Sequence, residues 1–194
     1  MKIVRVIKKN VYDFNKGGGN ENNFVFPYSS DNTIKRQQIW NNLQKGLLFE
    51  GKRILIPWLI PYNKIDNLKL KLIDSGDRTI CYLGKQTILD GYEGQFEVVK
   101  WISVPKTNPI VEIYENIGHD HIGHEKFNYL RDYITNLLGD PAISELEKFD
   151  TFDLGFMQWE NGIVKLKLIG IEHFSCRYTF SIGLIDESNQ GNLN

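Results

Sequence analysis

Between Phe127 and Ile185 the apolar residues change period from that of a helix to that of a strand, and this change limits the fold more than any other feature. In FNYLRDYITNLLGDP, Phe127, Leu130, Ile134, Leu137 and Leu138 form one stripe at helical spacing, with Asn128, Arg131, Asp132, Thr135 and Asn136 elsewhere. Gly139 can take the positive φ that ends a helix, and Pro141 cannot resume the hydrogen-bond ladder. The period then becomes two. Val164, Leu166 and Leu168 alternate with Lys165 and Lys167, and Cys176, Tyr178, Phe180, Ile182 and Leu184 alternate with Arg177, Thr179, Ser181 and Gly183. Asn161-Gly162 between GFMQWE and IVKLKLI predicts a hairpin with a type I′ turn, and Gly170 to Ser175 predicts a longer second connection. A helix and a three-stranded meander, each dry on one side, are expected to cover each other, with Leu130, Ile134 and Leu137 against Leu166, Phe180 and Ile182.

The first half reads less regularly. Lys2 to Ile7 alternates like a strand, and the polar NKGGGNENN separates it from FVFPY; Gly17 to Gly19 match neither a Walker loop nor a dinucleotide loop. Ile34, Ile39, Trp40, Leu43 and Leu47 predict a second amphipathic helix over Thr33 to Leu48, with Ser30, Asp31 and Asn32 as candidate N-caps and Gly46 or Gly51 as the stop. Strand-like ILIPW follows, then a loop or a short helix over Tyr62 to Leu68, a turn at Asp74 to Asp77 and a β-rich run broken at Gly84-Lys85 and at DGYEG. Pro105 to Pro109 makes the next break, and IVEIYEN offers one more strand. This order lacks regular β-α alternation, so the expected class is α+β: a largely antiparallel sheet with two principal amphipathic helices. At 194 residues a single domain over 1–194 is expected, within which 1–105 and 106–187 each hold a helix followed by strands, and 188–194 reads as a flexible tail.

Charge narrows the partners. The chain has 23 Lys and Arg against 24 Asp and Glu, which gives no overall attraction to nucleic acid or an anionic membrane. The first residues lack the apolar core of a secretory signal, and ILIPWLIPY is too short and proline-broken to span a bilayer. Cys81 and Cys176 lack metal or redox spacing, so two reduced thiols in a cytoplasmic protein are expected.

Three of the four histidines lie in GHDHIGHEKF. In an extended segment His119 and His121 point the same way, and a turn at Gly123 brings His124 to the same ion, with Asp120 and Glu125 nearby. This is the basis of an alternative reading as a metal-dependent hydrolase. The plainer reading is a polar loop entering the principal helix, Asp120 or Glu125 lying near the positive end of its dipole, and no metal or other cofactor is assigned. His173 beside Glu172 reads as an exposed loop residue, and Cys176 belongs to the apolar series as a buried thiol. The carboxylate pairs Asp150 with Asp153 and Asp186 with Glu187 define no acid-base site, and no catalytic residue is assigned. Trp40, Trp58, Trp101 and Trp159 read as packing residues.

Lys165, Lys167 and Arg177 share the outer face of the meander, with Thr179 and Ser181 beside them, and are the residues expected to meet a protein partner. FNYLRDYITNLLGDP, the hairpin MQWENGIVKLKL and the earlier GKRILIPW resemble small cytoplasmic bacterial α+β immunity proteins of polymorphic or contact-dependent toxin systems. The resemblance implies a non-enzymatic protein that blocks a cognate toxin by direct binding, and it carries no family residue over to an individual position. A third reading is a structural or adaptor module that takes a peptide along a sheet edge.

Overall fold

The helix marked by the apolar stripe organises the second half of the chain. The computed structural model describes residues 24–61, 64, 71–75, 78–101, 109–172 and 174–185. In order these form α1 (Asn32–Leu43), β1 (Gly46–Phe49), β2 (Ile54–Pro57), β3 (Lys71–Ser75), β4 (Arg78–Ile88), β5 (Tyr92–Trp101), β6 (Glu112–His119), α2 (Asp120–Leu138), β7 (Ile143–Phe149), β8 (Phe152–Asn161), β9 (Val164–Glu172) and β10 (Cys176–Leu184). The expected strand at Lys2 to Ile7, the glycine run, the loop or short helix over Tyr62 to Leu68 except Lys64, His173, the pair Asp186 and Glu187, and the tail lie outside the described residues, as do the side chains of Cys81 and Trp101.

α2 buries Gly123, Phe127, Leu130, Ile134 and Leu138. It begins at Asp120, so the segment expected to be a polar loop is its first turns. Gly123 is why the periodicity missed them. It occupies the buried stripe, and a Cβ there would stand 2.6 Å from the backbone carbon of Gly118 and 2.7 Å from the Tyr178 ring, so the position takes no apolar side chain. Leu137, expected in the stripe, is only partly buried, and Leu138 takes the inward place. The helix stops as predicted: Gly139 has φ +96° and donates its N–H to Thr135 O at 2.9 Å. Arg36 Nε donates to the Leu137 carbonyl at 3.1 Å and Trp159 Nε1 to the Gly139 carbonyl at 2.9 Å, so two otherwise unpartnered acceptors at this end are satisfied by side chains.

The class is α+β. Among the described residues β3 to β10 form one sheet in the order β3-β4-β5-β6-β10-β9-β8-β7, every neighbouring pair antiparallel, and β1-β2 form a separate hairpin. Two meanders, β3 to β6 and β7 to β10, therefore join through their last strands, and α2 crosses the face of the second. α2 packs on β6, β8, β9 and β10, while β1 packs on β4 and α1 on β1 and α2. The inward residues form one core cluster, which includes Phe49, Phe96, Ile113, Leu130, Ile134, Leu166, Phe180 and Ile182. No helix among the described residues is long and apolar enough to cross a membrane.

Several local expectations change. α1 is capped by Asp31, whose Oδ1 accepts from Ile34 N at 2.9 Å, but it ends at Leu43, and Leu47 belongs to β1. Gly46 cannot be part of a helix side here because its missing Cβ would lie 2.1 Å from Ile56 O on β2. Gly84, at φ +71° and paired with Phe96, follows a bulge at Leu83 within β4, so the strand is not broken there. At the β8-β9 hairpin Asn161 pairs with Val164, so the turn residues are Gly162 and Ile163. Of these only Gly162 has positive φ, +60°, as a type II′ turn requires, so the expected type I′ turn at Asn161-Gly162 is shifted by one residue. Gly170, Ile171 and Glu172 stay in β9, which shortens the next connection. β7 was not visible in the sequence because nearly all of it is exposed on both faces and shows no alternation.

Candidate functional site

Cross-strand partners share a face, so the register places the candidate residues directly. One row runs Tyr82, Glu97, Tyr114, Ser181, Lys167, Gln158 across the sheet, on the face opposite the helices. Lys165, opposite Glu160 and Gly183, and Arg177, opposite Ile171 and His119, lie on this same outer face. They do not form one cluster. Lys167 and the Arg177 partner Ile171 are separated along β9 by about 13 Å at ~3.3 Å per residue. Lys167 Nζ stands 4.7 Å from the Phe156 ring centroid, a cation–π contact, whereas Arg177 is exposed and makes no ion pair among the described residues.

Arg177 borders a break in the sheet. β4 and β5 pair continuously from Arg78↔Trp101 to Ile88↔Tyr92 apart from the bulge, but β5 and β6 pair in the described residues at Glu97↔Tyr114 alone. Beyond that pair the strands part, and a cleft of about 1030 Å³ opens on the outer face, lined among others by Tyr82, Gln95, Asn116, His119, Arg177 and Thr179. Its floor is Glu115. This carboxylate, fully buried, accepts from Lys126 Nζ at 2.7 Å, from Tyr92 OH at 2.7 Å and from the Gln95 backbone N–H at 3.2 Å. The Gln95 N–H, which a continuous ladder would give to a β6 carbonyl, goes instead to a side chain. Three donors, one of them cationic, make burial of the charge tolerable. Gly94 provides the space: a Cβ there would lie 2.4 Å from Glu115 Oε2. Burial, and then the Glu115 charge, push the Tyr92 hydroxyl well above the ordinary tyrosine value, so it stays protonated as a donor.

The histidines diverge. His119 ends β6 on the outer face, whereas His121 and His124 sit in the first turns of α2, their rings 5.0 Å and 5.5 Å from that of Phe152. The segment is not extended, which removes the geometry expected to bring the three together. No group of three or more His, Cys, Asp or Glu side chains among the described residues is placed to hold a metal ion. His124 Nε2 lies 3.2 Å from the Asp153 amide and 3.3 Å from Asp153 Oδ2, and Asp153 Oδ1 lies 2.6 Å from Lys148 Nζ. A neutral His124 accepts from the amide, and a protonated one donates to the carboxylate. Asp120 Oδ1 accepts from the Cys176 backbone N–H at 3.1 Å, so this carboxylate ties α2 to β10 and does not cap its own helix. Cys176 is a free, buried thiol whose pKa burial raises, and Trp40, Trp58 and Trp159 are buried.

Glu115, Lys126, Tyr92 and Gly94 were not singled out in the sequence, although one signal was there: in IVEIYENIG the buried phase reads Ile113, Glu115, Ile117, an acid among isoleucines. A comparison with protein-family models, with curated proteins and with solved structures matches none of them.

Proposed function

We propose that this chain is a non-enzymatic protein-binding protein that holds its partner on the outer face of the sheet, and that the partner is a bacterial toxin domain, as the resemblance to immunity proteins implies. The observation that supports this reading is the sidedness of the sheet. α1, α2 and the β1-β2 hairpin lie on one face, and the other carries Lys165, Lys167 and Arg177 together with Tyr114, Thr179 and the cleft beside β6. Such a surface mixes polar, charged and aromatic groups that remain soluble alone and can complement a partner.

The test is capture of the partner from the source cell, followed by a one-to-one inhibition assay of its activity and binding kinetics. Lys167→Glu with Arg177→Glu is expected to slow association by about tenfold or more at low salt and to weaken its salt dependence, with the melting temperature unchanged, because charges outside the core act on encounter. An unchanged association rate removes this face from the interface.

A further inference from the structure

The cleft between β5 and β6 contains more hydrogen-bond donors than its own residues use, and this surplus has a direction. At its β6-β10 wall, Arg177 and His119 are cross-strand partners, and one step along the same wall so are Thr179 and Asn116. Asn116 Oδ1 already accepts from the Gly118 N–H at 3.1 Å, which leaves its NH2 group as the outward donor. The acids that line the cleft are engaged: Glu115 is held by Lys126, Tyr92 and Gln95, and Glu97 has an interaction of its own. Arg177 is exposed and without an ion pair among the described residues. We infer that this cleft is the anchoring pocket for an acidic side chain of the protein partner, its carboxylate held by Arg177 in a two-point contact, with Asn116 and Thr179 as flanking donors.

This inference rests on the protein-binding reading and sharpens it. A guanidinium suits the occupant because its planar fork matches both carboxylate oxygens, and a cleft wall partly shields the pair from water, where such a contact counts for more than on an open surface. The volume of about 1030 Å³ also accommodates several residues of an extended segment, which a lone anion would leave largely unfilled. The Glu115-Lys126 pair keeps the floor in place: the carboxylate bridges from β6 to β5, so the cleft does not depend on the partner to open it.

The experiment uses the full chain, a blocked peptide of alternating glycine and glutamate, and its glutamine counterpart, with binding read by NMR chemical-shift changes of Asn116, His119 and Thr179. The glutamate peptide is expected to shift these signals saturably, the glutamine peptide to leave them, and Arg177→Gln to weaken the binding at least tenfold with an unchanged melting temperature. Lys52→Gln, in the exposed turn between β1 and β2 and outside the outer face, is expected to leave peptide binding intact. Equal shifts with both peptides, no shifts, or full binding by Arg177→Gln overturns the inference. If Lys167→Glu weakens the complex with the captured partner and Arg177→Gln does not, the outer-face reading survives and the acidic anchor in the cleft falls.

Discussion

Asp153 joins three parts of the chain: Lys148 on β7 is 2.6 Å away, His124 on α2 is 3.3 Å away, and Arg131 reaches to 4.0 Å. The Lys148 ammonium, with His124 adding to it and burial opposing, holds the carboxyl below the usual carboxylate range. A folded pKa below the unfolded one means that the ionised group favours the fold. That contribution is complete above the unfolded value of about 3.9 and is lost as pH falls through the folded value. Urea unfolding of the protein and of Asp153→Asn at several pH values is therefore expected to show a stability gap at about pH 6 that narrows toward about pH 3; a gap independent of pH would mean that the carboxylate charge contributes nothing. Gly123 makes the opposite point, that a favourable local change can be unfavourable in place. Alanine gains about 1 kcal/mol of helix propensity over glycine, but its Cβ would meet the Gly118 backbone at 2.6 Å, a neighbour that cannot rotate away. Overpacking costs about 1–3 kcal/mol, so Gly123→Ala is expected to lower the melting temperature, and a rise would show that α2 can lift off β6.

At the scale of elements, α2 packs on both the second meander and α1. Ile134 is fully buried in its C-terminal half, and Ile134→Ala is expected to cost about 2–5 kcal/mol, read as a lower urea midpoint at unchanged slope. An unchanged midpoint would make the helix peripheral. The stripe of this helix was legible from Phe127 onward because bulky apolar residues repeat there, and β9 and β10 were legible because polar residues alternate with buried Val164, Leu166, Cys176 and Phe180. The first turns of α2 and all of β7 were not. The former pack through a glycine, and the latter is an edge strand whose Glu145, Glu147 and Lys148 are exposed and suit an unpaired edge, so neither leaves a periodic apolar trace.

For the whole molecule, the pairing of β6 with β10 joins the two meanders into one sheet, and the core cluster runs without interruption from Ile39 to Ile182. Thermal or urea unfolding is therefore expected to give one transition that coincides by tryptophan fluorescence and far-ultraviolet circular dichroism, since Trp40, Trp58 and Trp159 report on the same core. Two separated transitions would divide the chain at the β6-β10 junction. The sequence by itself determined the class, the two helices, and the faces of β9 and β10, because each depends on local periodicity, which is written in neighbouring residues. Only the tertiary structure decided that β5 and β6 part after Glu97↔Tyr114, that Glu115 fills the gap with Lys126 and Tyr92, and that Arg177 stands beside it with His119. Those contacts join residues from separate strands and a helix, and no local pattern encodes the distance between side chains that meet only when the sheet is assembled.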